Sequence, residues 1–198
     1  SLNRFSFNEI EKEMILDDVA KKLGNFISSI DEKLNEFLNV DYVIDGANVG
    51  YQFEDQGKKV TMKFRKINMI VSKLSGNVAI FLHKRHIDKA KTKKSKDDKE
   101  NMDILDSWQK MSNLRLIITP YNENDDFSWI YTTIKYESML ISNDNMNDHY
   151  DKIFKNVWPI KFRLWQKLHQ INHQMQFGDI MELSLPPVCL RKIQNLVI

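Results

Sequence analysis

Between Phe7 and Leu38 apolar side chains recur every three or four positions. Ile10, Met14, Ala20, Leu23, Phe26, Ile27, Ile30, Leu34, Phe37 and Leu38 alternate with Asp, Glu and Lys. That period predicts amphipathic helix, and Gly24 splits the stretch in two. The pattern then changes. Tyr42–Asp45, Val78–Leu82, Leu114–Thr119 and Ser138–Ile141 are short, nearly continuous apolar runs, the signature of strands covered on both faces. Helical stripes lie between them. Phe64, Ile67, Ile70, Val71 and Leu74 form one, with Gly76 as its expected C-cap. Met102, Leu105, Trp108 and Met111 mark a second at about Lys99–Met111. Asp125 and Asp126 open a third containing Trp129, Ile130, Thr133 and Ile134, and a fourth is expected from Asp144 to about Phe154. Residues 46–59 read as irregular.

Strands alternating with helices predict an α/β fold, a three-layer αβα sandwich around a mostly parallel central sheet. A helical N-terminal segment, 1–40, is expected to pack on a domain spanning 41–160. Residues 161–198 read as an irregular or β-rich C-terminal tail folding back on that domain. There Phe162, Trp165, Leu168 and Ile171 interleave with Arg163, Lys167, His169 and His173, and Pro186-Pro187 follows. With 198 residues the chain is long enough for one well-cored domain and short for two. No apolar stretch approaches the roughly 20 residues that span a bilayer, and Ser1–Asp18 lacks a signal-peptide core, so no membrane partner is expected. Cys189, the single cysteine, excludes an intrachain disulfide and reads as inert.

Charge alters the picture in one place. The net charge is only +2, yet Lys84–Lys99 holds eight basic residues against three acidic ones. Alone, such a run reads as a solvated loop. Next to a carboxylate site it becomes a candidate for binding a phosphate backbone, because lysines neutralise phosphates and release counterions. The candidates are His83, Lys84, Arg85, Lys89, Lys91, Lys93, Lys94 and Lys96, with His86 beside them.

The sharpest chemistry lies at the ends of the apolar runs. Asp45 closes the first, Asp125 and Asp126 follow the third by way of Pro120–Asn124, and Asp144 follows the fourth. In an open α/β sheet, ligands bind beyond the carboxyl ends of the strands. Carboxylates gathered there repel one another unless divalent cations neutralise them, and hard oxygen ligands suit Mg²⁺ or Mn²⁺. Two such ions can activate water and neutralise the charge that builds up in phosphodiester hydrolysis. Asn48 and Asn143 are candidates to orient these groups, as are Asp148 and His149, about one turn after Asp144. His169 and His173 have the spacing of a helical metal pair but no accompanying Glu or third ligand, so they read as structural. With one cysteine, no structural zinc is expected in this chain. No Gly-rich phosphate loop is present, which argues against a nucleoside triphosphatase.

Val43–Gly50 (VIDGANVG), Asn124–Tyr131 (NDDFSWIY) and Ile141–His149 (ISNDNMNDH) resemble the NYN/PIN-like metallonuclease domain of proteinaceous RNase P. Phe81–Lys84, Arg163–Gln170 and Leu185–Pro187 are similar to further landmarks of that family, over about Asp41 to Gln194. The resemblance implies an endoribonuclease that removes the 5′ leader from precursor tRNA and leaves a 5′-phosphate. It places the family's metal-binding aspartates on Asp45, Asp125, Asp126 and Asp144. Alternatives within the same fold are a different RNA target, or a catalytic subunit active only with partner proteins. The family's zinc module and its tRNA-gripping pentatricopeptide repeats have no counterpart in this sequence, so an excised domain and a minimal enzyme are both open. For location, the resemblance suggests mitochondrion, another organelle or nucleus.

Overall fold

Strands Tyr42–Asp45 (β1), Val78–His83 (β2), Leu114–Thr119 (β3), Met139–Ile141 (β4), Gln170–Gln176 (β5) and Ile180–Ser184 (β6) form one sheet in the order β3-β2-β1-β4-β5-β6. The computed structural model describes residues 7–51, 61–176 and 180–186; Cys189, Pro187 and most of the 46–59 segment lie outside them. All pairings are parallel except the β5–β6 hairpin, with Val43 level with Ala79 on one side and Leu140 on the other. Parallel strands need crossover connections, and the helices supply them. The helices are α1 (Glu9–Leu23) and α2 (Phe26–Leu34), which precede β1, and the connecting α3 (Gly46–Gly50), α4 (Phe64–Val71), α5 (Lys84–Lys91), α6 (Lys96–Trp108), α7 (Asp125–Tyr136), α8 (Asn147–His149) and α9 (Pro159–His169), with a π turn at Tyr150–Phe154. Among the described residues, no helix is long and apolar enough to cross a membrane.

Alternation along the strands sorts the core into two layers. Val43, Ala79, Phe81 and Leu140 meet α1, α2, α7 and α9 on one face, while Ile44, Ile80, Leu82 and Ile141 meet α3 to α6 on the other. On the first face Phe154 lies 4.5 Å from Phe162, between ring centroids, and both pack beside Trp165. The sandwich is the one that the hydrophobic pattern predicts.

Local chemistry explains the boundaries. Asn8 and Glu11 close a reciprocal capping box at the start of α1. Gly24 ends that helix at φ 51°, its N–H bonding to Ala20 O, and so separates α1 from α2 as expected. Gly76 does not play the same part for α4, which stops at Val71 with Ser72 as its C-cap. At φ 128°, Gly76 instead serves the turn into β2, where a Cβ would meet the Asp41 carboxylate at 2.5 Å.

The basic loop is a second correction. Lys84–Lys91 is helix α5, because His86, Ile87 and Ala90 give it a buried stripe beneath the lysines. Ser95 and Asp98 then form a capping box that starts α6 at Lys96, leaving only residues 92–95 between the helices. Farther on, α9 precedes the β5–β6 hairpin. Pro159 at its first turn and buried Phe162 and Trp165 fix that helix where interleaved polarity suggested extended chain.

From β1 the chain moves outward to β2 and β3, then returns across the sheet to β4. The carboxyl ends of β1 and β4 therefore flank the topological switch point, where adjacent loops diverge and leave a crevice.

Candidate metal centre

Asp45 is the last residue of β1 and the N-cap of α3. Its Oδ1 accepts the Asn48 N–H at 3.1 Å, and its Oδ2 accepts the Ser142 hydroxyl at 2.9 Å. The next residue must be glycine: a Cβ on Gly46 would stand 2.5 Å from the Phe81 carbonyl oxygen. Asp45 is only 5% exposed. That burial pushes its carboxyl up to about 7; Asn48 and Ser142 oppose the rise, and Asp126 and Asp125 add to it.

Asp125 and Asp126 begin α7, capped by Asn124, whose side-chain oxygen accepts the Asp126 N–H at 2.8 Å. Acidic residues suit that helix end by themselves. Burial raises Asp126, the nearby His149 lowers it, and Asp125 and Asp144 raise it again. Asp144 sits just past β4 and is lowered, chiefly by its contact with His149. Its N–H donates to the Ser142 hydroxyl at 3.1 Å, and its Oδ1 accepts the Met146 N–H at 2.8 Å. Side chains following the site brace this loop from outside. Gln170 Nε2 donates to the Ser142 and Asp144 carbonyls at 2.6 and 2.8 Å, while Gln166 and Arg163 both reach the Asn145 carbonyl.

His149 joins the acidic group directly. Its Nε2 lies 3.6 Å from Asp126 Oδ2 and 3.5 Å from Asp144 Oδ2, and one ligand atom from each of the three residues fits within 4.8 Å. The ring is buried, edge-on to Trp129. Asp45, Asp125, Asp126 and Asp144 open together onto a cleft of about 500 Å³ that also includes Ala47, Asn48, His83, Arg85, Glu123 and Asn124. Among the described residues, five carboxylates there face one guanidinium, that of Arg85. Such an imbalance is what divalent cations relieve, so the donor set fits a metal site.

The other candidates divide. His83 and Arg85 line the cleft, but Lys84, Lys89, Lys91, Lys93, Lys94 and Lys96 are exposed and outside its lining. His86 is buried against Tyr51, and burial, followed by Arg85, His83 and Lys89, pushes its imidazole down to about 4. Asp148 is exposed and does not line the cleft. Asn143 is outside the lining of this cleft, and its side chain bonds to the backbone of His173. His169 Nδ1 lies 3.2 Å from the Ser138 carbonyl, so the two histidines of the i, i+4 pair serve different partners. Sequence reasoning overlooked Ser142, Glu123, Gln166 and Gln170. Ser142 falls within Ile141–His149, and Gln166 and Gln170 within Arg163–Gln170, stretches that carry the family resemblance without indicating what these side chains touch, while Glu123 stands two residues before Asp125.

The sequence model of the Protein-only RNase P family matches residues 4–195. The chain belongs to that family. Similar curated proteins include Proteinaceous RNase P 2 of Arabidopsis thaliana, 27% identical over 197 residues, covering 90% of this chain and 35% of the relative. Proteinaceous RNase P 1, chloroplastic/mitochondrial, from the same plant is 28% identical over 153 residues, covering 74% of this chain and 24% of the relative. The chain thus spans about a third or less of the length of these relatives. The solved structure of Arabidopsis nuclear protein-only RNase P 2 superposes with a TM-score of 0.74 at 23% identity, covering 91% of this chain and 37% of that one. At that identity the likeness speaks for the fold alone, an α/β arrangement around a mostly parallel sheet.

Proposed function

We propose that this chain is a metal-dependent endoribonuclease domain that cuts the 5′ leader from precursor tRNA and leaves a 5′-phosphate on the mature product. The observation that carries this reading is the gathering of Asp45, Asp125, Asp126 and Asp144 in one crevice of a chain belonging to the protein-only RNase P family. Those four carboxylates, with His149 against two of them, would hold Mg²⁺ or Mn²⁺, in a pair of sites. Ions bound there supply an activated water and neutralise charge at the phosphorus.

The chain's own residues do the rest. Asn48 N–H and Ser142 hold the Asp45 carboxylate in one orientation, which fixes where its free electron pairs point. Met146 N–H does the same for Asp144. Arg85, at the mouth of the cleft, offers a cation to RNA phosphate. The exposed lysines of α5 and the 92–95 turn extend that charge and hold backbone without reading bases.

Incubation with a defined precursor tRNA and an unstructured RNA, with Mg²⁺ and with EDTA, tests the reading. A single Mg²⁺-dependent cut at the leader junction is expected. Scattered cuts in both RNAs would instead make it a nuclease of the same fold with another target, and cleavage only after adding cell extract would make it a subunit.

A further inference from the structure

Asn48 lines the carboxylate cleft, and its amide oxygen is fully engaged on the protein side. The Asn143 backbone N–H reaches Asn48 Oδ1 at 2.8 Å, and His173 Nε2 reaches the same atom at 2.9 Å. A backbone N–H can only donate, so the atom it meets is the amide oxygen and not the nitrogen. The imidazole nitrogen on that oxygen must then carry its proton. His173 is 3% exposed, and burial together with Lys66 pushes it down to about 4, so a neutral ring with the proton on Nε2 is the stable form at neutral pH. Asn143 holds His173 in place in turn: its side chain donates to the His173 carbonyl at 2.7 Å and accepts the His173 N–H at 2.9 Å.

Two consequences follow from an oxygen that is doubly occupied. Asn48 has no lone pair to spare for a cation. Its Nδ2 also has no hydrogen-bond partner among the described residues, though the residue borders a cleft otherwise rich in acceptors. We propose that Asn48 Nδ2 donates to a non-bridging phosphate oxygen of the bound RNA, and that His173 and Asn143 are positioning residues that stop the amide from flipping. The proposal rests on the RNA-cleaving reading above. It assigns one residue two tasks, its backbone N–H orienting Asp45 and its side chain contacting substrate.

The test uses Asn48→Ala, Asn48→Asp, His173→Leu and His173→Gln, each checked for an unchanged melting temperature. Single-turnover cleavage should slow roughly 100-fold in both Asn48 variants, the usual cost of removing one preorganised donor at developing charge. Asn48→Asp keeps an oxygen for Asn143 and His173 but has no donor, so it should not rescue. Mn²⁺ affinity, read by electron paramagnetic resonance, should stay at the wild-type value in Asn48→Ala. One phosphorothioate diastereomer at the scissile position should slow the wild type yet add nothing in Asn48→Ala. His173→Leu should lose about tenfold in rate, and His173→Gln, whose amide replaces the Nε2 donor, should restore most of it. Affinity for precursor tRNA with Ca²⁺ in place of Mg²⁺ reads the same hydrogen bond whether or not cleavage occurs, and should fall about tenfold in Asn48→Ala. Wild-type rates in Asn48→Asp, or weakened Mn²⁺ binding in Asn48→Ala, would make the residue a metal ligand and overturn the proposal. So would a full thio effect or unchanged Ca²⁺-state affinity in Asn48→Ala. An inactive wild type with the affinity loss intact would instead count against the cleavage reading alone.

Discussion

A carboxyl group enclosed at the end of β1 costs free energy when it ionises, because protein replaces the water that would solvate its charge. Asp45 is in that position, with an ordinary value of 3.8 raised to about 7. The folded state therefore binds a proton more tightly than the unfolded chain does. Its contribution is favourable below about pH 4 and is lost as pH rises toward 7, a swing on the order of a few kcal/mol. Asn has nearly the same shape and no charge. Metal-free Asp45→Asn should thus melt higher than wild type at pH 8, with the gap closing toward pH 4, and cleavage should be abolished. Melting curves in EDTA from pH 4 to 8 check this; a gap that ignores pH would mean Asp45 is not the strained carboxylate. Asp45 was legible because it closes an apolar run directly, and the other three aspartates because each lies within a few residues of one. His173 was not. Its role depends on Asn48, 125 positions away in sequence, and no local pattern encodes that pairing.

Elements were legible where burial imposed a clean period and obscured where charge masked it. The strand runs were read almost to the residue, since both faces of a parallel sheet must be apolar. Helix α5 was missed because only His86, Ile87 and Ala90 are buried beneath its basic surface. As a result the lysines sit on a rigid frame: Lys91 ends α5, Lys93 and Lys94 lie in the turn, and Lys96 opens α6. All four are exposed and none lines the cleft, so they can hold RNA without taking part in the chemistry. Replacing all four with alanine should weaken precursor-tRNA binding. The slope of log affinity against log salt should flatten by roughly 0.7 to 0.9 for each phosphate that is no longer neutralised, with the cleavage site unchanged. Filter binding across a salt series measures it, and an unaltered slope would leave these lysines merely solvated.

At the scale of the molecule, the site is assembled from segments that only the sheet brings together. Asp45 comes from β1, Asp125 and Asp126 from the start of α7, and Asp144 from the loop after β4. Gln170 on β5 and Arg163 and Gln166 on α9 then brace that loop. The alternating burial of β5 was present in the sequence, but its parallel pairing with β4 is a tertiary fact that local periodicity does not carry. An ion held by such scattered ligands binds the folded chain and not the unfolded one, so it must raise the unfolding temperature. At 100 times the dissociation constant the gain is about 2.7 kcal/mol, or roughly 5 to 10 °C for a chain of this size. On the proposed ligand set, proton and cation compete for Asp45, and with its carboxyl at about 7 the proton holds the site at pH 6 and has left it at pH 8. The Mg²⁺-induced shift in melting temperature should therefore be larger at pH 8 than at pH 6. Asp126→Asn should lose most of it at both. Scanning fluorimetry at fixed ionic strength distinguishes the cases: equal shifts at the two pH values would show that cation binding does not require Asp45 to ionise, and would remove it from the ligand set.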